Sequence, residues 1–489
     1  MSITLKKEND YFLSRVVKNL ASLVGSEILS RTCGLVLVIV LARYLGPEKY
    51  GLYSLAFIFY GIFLLLSNLG IDTVITKNVS RDLTQTVPYI SFVSFFKIIS
   101  SFLSFSIIAF LVLLLGYGET TRMGILLLCV AIFFSTQYDL ISAIFFAYEK
   151  MEFPSIINSI RSLLSLGFII ALIRLGKDVH AILSAQLFAI IICTLIQCYI
   201  FGKLIVPLKN VRLQFKIPTE IIRESLHFFL VAALFILNTR MDILMISWFM
   251  EERSVGVYAS AIEIINILMI LPALISKVLF PVFSKNYKEN KPAMVIIANT
   301  AIRFNIILGV PLSIGMLLLS SQLVNFIFGV KYLDAGIILM IFSVNLFLFF
   351  PLTILSWIYS ATDNVSIIVK SSLISIIINI TLNMMLIPIY GLPGAALATV
   401  TCSVFRTLFL YNFKLRKYPD IVFFKAFDKP IIASVVMGGA VYFLRSLRFL
   451  LVVFMGICIY FLILFLVRGF THDDWLLLKS LFRNKSQKA

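Results

Sequence analysis

Histidine, tryptophan, cysteine and acidic side chains are scarce in this 489-residue chain, which holds three His, three Trp, six Cys and 24 Asp plus Glu. The histidines His180, His227 and His472 are scattered at the ends of apolar runs, so a histidine-based metal centre is not expected. Cys33, Cys129, Cys193, Cys198, Cys402 and Cys458 all fall inside apolar runs without paired spacing, and they read as small packing residues rather than ligands or disulfides. A Gly-x-x-x-x-Gly-Lys-Ser/Thr phosphate loop is absent, and no polar stretch is long enough for a nucleotide-binding or catalytic domain. The chain is therefore expected to be neither an ATPase nor an enzyme, and to hold no cofactor. The charged segment Met1 to Asn19 ends in no small-residue cleavage site, so it is not a signal peptide.

What the chain has in abundance is apolar length. Hydrophobic residues make up 60% and charged residues 13%, too apolar for a soluble fold and the composition of an integral membrane protein. Runs of about 18 to 25 apolar residues recur from end to end, each long enough to cross roughly 30 Å of hydrocarbon as a helix. A β-barrel would show short alternating segments instead.

Fourteen transmembrane helices are expected. The first six are Leu20–Leu41, Tyr50–Leu69, Ile90–Leu115, Arg122–Tyr148, Ser155–Ile173 and Ile182–Phe201. The next six are Leu226–Met250, Val255–Phe283, Ala298–Leu319, Ala335–Ser360, Ser366–Ile389 and Leu392–Tyr411, and the last two are Pro430–Leu444 and Phe449–Val467. The expected organisation is an interfacial segment 1–19, an N-lobe 20–202, a basic linker 203–224, a C-lobe 225–412, a basic loop 413–429, the final pair 430–468 and an amphipathic tail 469–489. Placing both termini in the cytoplasm puts roughly 26 Lys and Arg on inner loops and about 9 on outer ones, as the positive-inside rule requires. The net charge of +18 is thus topogenic, at the anionic leaflet, and does not imply nucleic acid. The tail from Thr471 to Phe482 reads as a capped helix on the membrane surface.

A short pattern occurs twice. Gly51-Leu52-Tyr53-Ser54-Leu55-Ala56 returns 205 residues later as Gly256-Val257-Tyr258-Ala259-Ser260-Ala261, each copy after an apolar run and a short charged loop, Pro47-Glu48-Lys49 or Glu251-Glu252-Arg253. Gly-x-Tyr-x-x-Ala at matching places in the hydropathy indicates a duplicated membrane unit.

Ionisable groups inside spans cost roughly 2.5 to 3.5 kcal/mol or more at mid-bilayer unless they meet partners or water. Arg161, Lys277, Arg303, Lys370 and Arg406 lie near cytoplasmic helix ends and are expected to snorkel. Glu27, Arg31, Arg240 and Asp242 lie deeper, in the first and seventh spans that open the two repeats. Glu27 and Arg31 are four apart and share a face, an arrangement that lets them neutralise each other. Arg240 and Asp242 point to different faces, and Asn238 lies one turn before Asp242. Facing polar centres suggest a hydrated cavity between two halves, which Glu263 and Asp139 are candidates to line.

The run from Leu41 to Tyr53, Leu-Ala-Arg-Tyr-Leu-Gly-Pro-Glu-Lys-Tyr-Gly-Leu-Tyr, followed by Ser67-Asn68-Leu69-Gly70-Ile71, resembles the N-terminal signature of polysaccharide transporters of the oligosaccharide flippase type. This Wzx-like family belongs to the MOP exporter superfamily (multidrug, oligosaccharidyl-lipid and polysaccharide). Asp242 with Gly256, Tyr258, Ala261 and Pro281 resembles its middle signature, and Asn379, Asn383, Pro388, Tyr390, Gly391, Gly394, Ala395, Ala396 and Thr399 the third. Glycine and alanine in these blocks read as close-packing residues and proline as a shaper of helix ends.

The resemblance implies an all-α fold of two pseudo-symmetric six-helix lobes plus two C-terminal helices. It also implies a flippase of the cytoplasmic membrane that carries polyprenyl-pyrophosphate-linked oligosaccharide by alternating access. Arg31, Arg240 and Asn238 are then the candidate contacts to phosphate and sugar. Glu27, Asp242, Glu263 and Asp139 are candidates for coupling to H⁺ or Na⁺. A monomer is expected, with membrane lipids around it and a polysaccharide polymerase or glycosyltransferases as candidate partners. The alternatives are a lipid II flippase and an ion-coupled multidrug or metabolite antiporter of the same superfamily.

Overall fold

In a computed structural model, the protein is described over residues 2–207, 219–362, 364–421 and 426–469. Among these residues the regular structure is helical throughout, in fifteen α-helices and short 3₁₀ turns. The linker residues Lys209, Arg212 and Lys216, the loop residue Lys425 and the tail helix from Thr471 lie outside the described residues.

The first helix, α1 (Ser2–Asn68), carries an apolar stretch of 47 residues from Ser22. At 1.5 Å per residue that is about 70 Å, more than twice the hydrocarbon thickness, so it crosses twice. The break between passes is at Gly46, whose φ of 72° is left-handed backbone that favours glycine. Pro47 follows as the first residue of the second pass, a position that needs no N–H. The expected charged loop Pro47-Glu48-Lys49 is therefore the first turn of a helix, and Glu252 and Arg253 likewise open the ninth helix.

After a turn at Gly70 comes the short amphipathic α2 (Ile71–Arg81), then α3 (Thr86–Leu114). A single crossing follows, built of α4 (Glu119–Cys129) and α5 (Ala131–Ala147). The next helices are α6 (Glu152–Arg174), α7 (Val179–Leu204), α8 (Thr219–Phe249), α9 (Glu252–Glu289) and α10 (Lys291–Phe328). The chain continues through α11 (Ala335–Ala361), α12 (Val365–Tyr390), α13 (Leu392–Lys417), α14 (Asp428–Leu444) and α15 (Phe449–Leu466). Twelve described helical segments are long and apolar enough to span a bilayer. The double pass of α1 adds one crossing, and α14, at 17 residues and about 26 Å, nearly covers the hydrocarbon core. The protein is a multi-pass membrane protein.

The chain forms two compact units, residues 1–240 with 251–256, and residues 241–250 with 257–489. In the first, Ile71, Val74, Ile75 and Val79 of α2 are fully buried among Val93 of α3, Ile144 and Phe145 of α5 and Phe201 of α7. The α6–α7 turn is tied to the break in α1 by Lys49, which donates to Asp178 at 2.6 Å. That hydrogen bond holds the Asp178 carboxyl below its ordinary range.

The glycines that open the two copies of Gly-x-Tyr-x-x-Ala meet within this unit. A Cβ on Gly51 would overlap the carbonyl of Glu252 and lie 2.9 Å from the Gly256 nitrogen; one on Gly256 would overlap the carbonyl of Pro47 and lie 2.9 Å from the Gly51 nitrogen. Only glycine at both positions permits this backbone approach.

In the second unit, α10 and α11 pack along a core that includes Ile302, Ile306, Ile354, Leu355 and Ile358. The hairpin α14–α15 lies against α10, where Tyr460 donates to the Ile307 carbonyl at 2.7 Å, while Phe443, Phe454 and Phe465 remain exposed. Exposed Phe on a helix of mean composition this apolar faces lipid.

Candidate functional site

Two polar centres dominate the interior, a buried carboxylate in the second unit and a buried ammonium in the first. In the second unit Asp242 of α8 is only 9% exposed. Tyr258 of α9 donates its hydroxyl to Oδ2 at 3.1 Å, Asn383 of α12 donates Nδ2 to Oδ1 at 2.8 Å, and the Thr399 hydroxyl of α13 donates to Oδ2. Asn383 also donates to Oδ1 of Asn379 at 3.0 Å, one helical turn away. Its own Oδ1 is buried and has no hydrogen-bond partner among the described residues. Three other helices thus gather four oxygen-bearing side chains around one carboxylate, a hard, oxygen-rich set with one acceptor left over.

Tyr258, Asn379, Asn383 and Thr399 are signature residues left without a role by sequence, while Asp242 was a candidate coupling acid. Their polar atoms belong to one centre. The available signal was Asn379 and Asn383, four apart on one face of an otherwise apolar span.

In the first unit Lys97 of α3 is fully buried. Its ammonium donates to Asp72 of α2 at 2.5 Å and to the Thr136 carbonyl of α5 at 3.0 Å. Asp139 of α5 accepts from Asn68 Nδ2, at the end of α1, at 2.8 Å. Lys97 lies inside the expected span Ile90–Leu115, so its charge was an available signal, whereas Asp72 falls outside the expected spans and offers none.

The other candidates are placed as follows. Glu27 and Arg31 pair on their own helix at 2.5 Å with side chains 55% and 54% exposed. Arg240 is partly buried and Asn238 exposed on α8, two and four residues before the buried Asp242. Glu263 is partly buried on α9. The expectation that Arg161 snorkels is corrected: it donates to Asn158 at 2.7 Å and lies 5.4 Å from the Tyr138 ring centroid, because α6 faces α1 and α5 along a polar seam. That seam includes Asn158 and Ser162, both bonded to Ser30 at 3.0 Å. Lys277 and Lys370 are exposed, as snorkelling residues should be.

Residues 16–287, more than half of the chain, match the model of the polysaccharide biosynthesis protein family. This chain belongs to that family. The chain is 23% identical over 412 residues to the probable low-salt glycan biosynthesis flippase Agl15 of Haloferax volcanii, covering 83% of this chain and 85% of that one. It is 26% identical over 403 residues to the capsular polysaccharide biosynthesis protein CapF of Staphylococcus aureus, covering 81% and 98%. The chain shares its fold with the lipid II flippase MurJ in an inward closed conformation, at a TM-score of 0.71 and 17% identity, over 91% of this chain and 98% of that one. An inward-facing multidrug resistance transporter of the MATE family, in the MOP superfamily, matches at a TM-score of 0.63 and 17% identity over 79% and 94%.

Proposed function

We propose that this protein is a flippase that carries polyprenyl-pyrophosphate-linked oligosaccharide across the cytoplasmic membrane by alternating access, with both termini in the cytoplasm. The observation that carries this reading is family membership together with a glycan flippase relative aligned over most of both chains. A lipid-linked sugar presents a polar head that cannot enter hydrocarbon and a tail that can stay in it. No bond is made or broken, so the protein is a transporter and not an enzyme.

In this reading Arg31, Arg240 and Asn238 meet the diphosphate and sugar, where a guanidinium forms charge-assisted, bidentate bonds to phosphate oxygens. The half exposure of Arg31 leaves its planar head able to exchange Glu27 for a ligand. Asp242 is the best of the four candidate coupling acids. It is buried, it is held by three donors from three other helices, and the orphaned Asn383 Oδ1 beside it is an oxygen that a small cation would satisfy. Asp242, Asn379, Asn383 and Thr399 would hold a Na⁺ or H⁺ whose gradient drives the cycle. A monomer suffices, and a polymerase or glycosyltransferases acting on the same lipid carrier are the partners this role calls for.

The head-group assignment is tested by complementation in cells that lack their own flippase. Arg31→Ala and Arg240→Ala should each abolish surface glycan while membrane levels of the protein match wild type. Full export by both variants removes these arginines from the site.

A further inference from the structure

Proline inside a membrane helix denies a hydrogen bond to the carbonyl four residues earlier, and in hydrocarbon that oxygen needs another donor. Pro311 lies within α10, so the carbonyl it leaves open is that of Ile307. Tyr460 of α15 donates its hydroxyl to that oxygen at 2.7 Å. Tyr460 and Ile307 are both buried, in one apolar cluster with Ala433 and Met437 of α14 and Val452 of α15. The hydroxyl thus takes the place of the missing N–H, and a helix outside the two repeats supplies it.

The α14–α15 hairpin also grips α10 beyond the proline. A Cβ on Gly438 of α14 would lie 3.0 Å from Ile314 and 3.4 Å from Leu318, so α14 runs close against the half of α10 that follows Pro311. Farther along, Gln322 donates to the Arg445 carbonyl between α14 and α15 at 2.8 Å, and the Phe326 and Phe449 rings pack with centroids 5.0 Å apart. One hairpin therefore holds α10 on both sides of the interruption in its hydrogen-bond ladder, at Ile307 before the proline and at Ile314, Gln322 and Phe326 after it.

The hairpin is itself braced. A Cβ on Gly456 of α15 would lie 3.1 Å from Val441 of α14, and Lys429 at the start of α14 donates to the Arg468 carbonyl just past α15 at 2.7 Å. Gly309, two residues from Ile307 and so about 200° around the helix, meets α11. A Cβ there would lie 2.8 Å from that of Phe350. At the level of its proline α10 is held between α11 on one side and the hairpin on the other.

We propose that α14–α15 is a splint across a hinge in α10 at Pro311, with Tyr460 as the positioning residue that completes the interrupted hydrogen-bond ladder. In place, the hairpin holds α10 at one bend. With the Tyr460 bond released, the two halves of α10 are free to change their angle. The device rests on contacts within the second unit alone and stands whatever molecule the protein carries.

The test uses the full-length protein in lipid nanodiscs, spin-labelled through ketone-bearing residues introduced at the exposed positions Ile296 and Leu317. These lie about 30 Å apart along α10. Pulsed electron–electron double resonance reads the distribution of that distance, which follows the bend of α10 and not stability alone. Tyr460→Phe keeps the ring and removes only the hydroxyl; it should broaden the distribution and shift its centre. Pro311→Ala returns an N–H to the Ile307 carbonyl, so adding Tyr460→Phe to it should change nothing further. Tyr359→Phe removes another buried hydroxyl, bonded to the Leu410 carbonyl at 2.7 Å, and should leave the wild-type distribution in place. That comparison carries the test if Pro311→Ala does not fold. A distribution unmoved by Tyr460→Phe, moved equally by Tyr359→Phe, or moved as far by Tyr460→Phe with Pro311→Ala present, overturns the proposal.

Discussion

Replacing Asp242 by asparagine is expected to lower transport by at least about 100-fold while the protein still inserts and stays monodisperse. The carboxylate is the one charged group among the oxygens of Tyr258, Asn379, Asn383 and Thr399, and without its charge a cation loses its main attraction. Asparagine keeps the shape and one acceptor oxygen, so the three donors are not all stranded; alanine would strand them at about 1 to 3 kcal/mol each. Thr399→Val and Asn383→Ala, which remove supporting oxygens but not the charge, should cost about 10- to 100-fold. Initial rates of uptake into vesicles, with protein content held equal, give the measurement. Near wild-type rates for Asp242→Asn would remove it as the coupling acid.

The second large effect is on stability. Lys97→Ala should destabilise the protein by about 3 to 5 kcal/mol, because it leaves the partly buried Asp72 carboxylate without its counter-ion, and a broken buried pair costs far more than the intact pair contributes. The double variant Lys97→Met with Asp72→Asn should recover most of that loss, since the side chain of Lys97 occupies fully buried space that methionine can fill. Reversible unfolding in mixed micelles reads both. A double variant as unstable as the single one would mean that Lys97 contributes through packing and its Thr136 bond rather than through charge.

The crossings were legible because hydropathy over a window is a sum, tolerant of detail. The final pair, expected at Pro430–Leu444 and Phe449–Val467, is found at Asp428–Leu444 and Phe449–Leu466. The break in α1 was legible from Gly46-Pro47, where one residue supplies the left-handed backbone and the next lacks an N–H. The Glu27–Arg31 pair was legible too, since four-residue spacing puts both on one face.

The polar centres were not. Lys97 meets Asp72 across the 3₁₀ turn Leu83–Gln85 and lies 42 residues from Asp139, and no spacing rule links helices that pack side by side. Tyr258, Asn383 and Thr399 carry no charge, so a search for ionisable groups in spans passes over them, although each spends a polar atom on Asp242. The repeated glycines had their packing role in the sequence, but that each copy serves to admit the other's backbone is a fact of tertiary structure.

The central claim is that the transported molecule is a lipid-linked oligosaccharide. The most direct measurement is in vesicles that hold the purified protein and a fluorescent polyprenyl-pyrophosphate-linked oligosaccharide, with a membrane-impermeant glycosidase outside. The account predicts that sugar placed in the inner leaflet becomes accessible to the enzyme much faster than in protein-free vesicles, and that lipid II does not move at a comparable rate. Oligosaccharide exposure at the protein-free rate, with lipid II or a cationic drug transported instead, would contradict it.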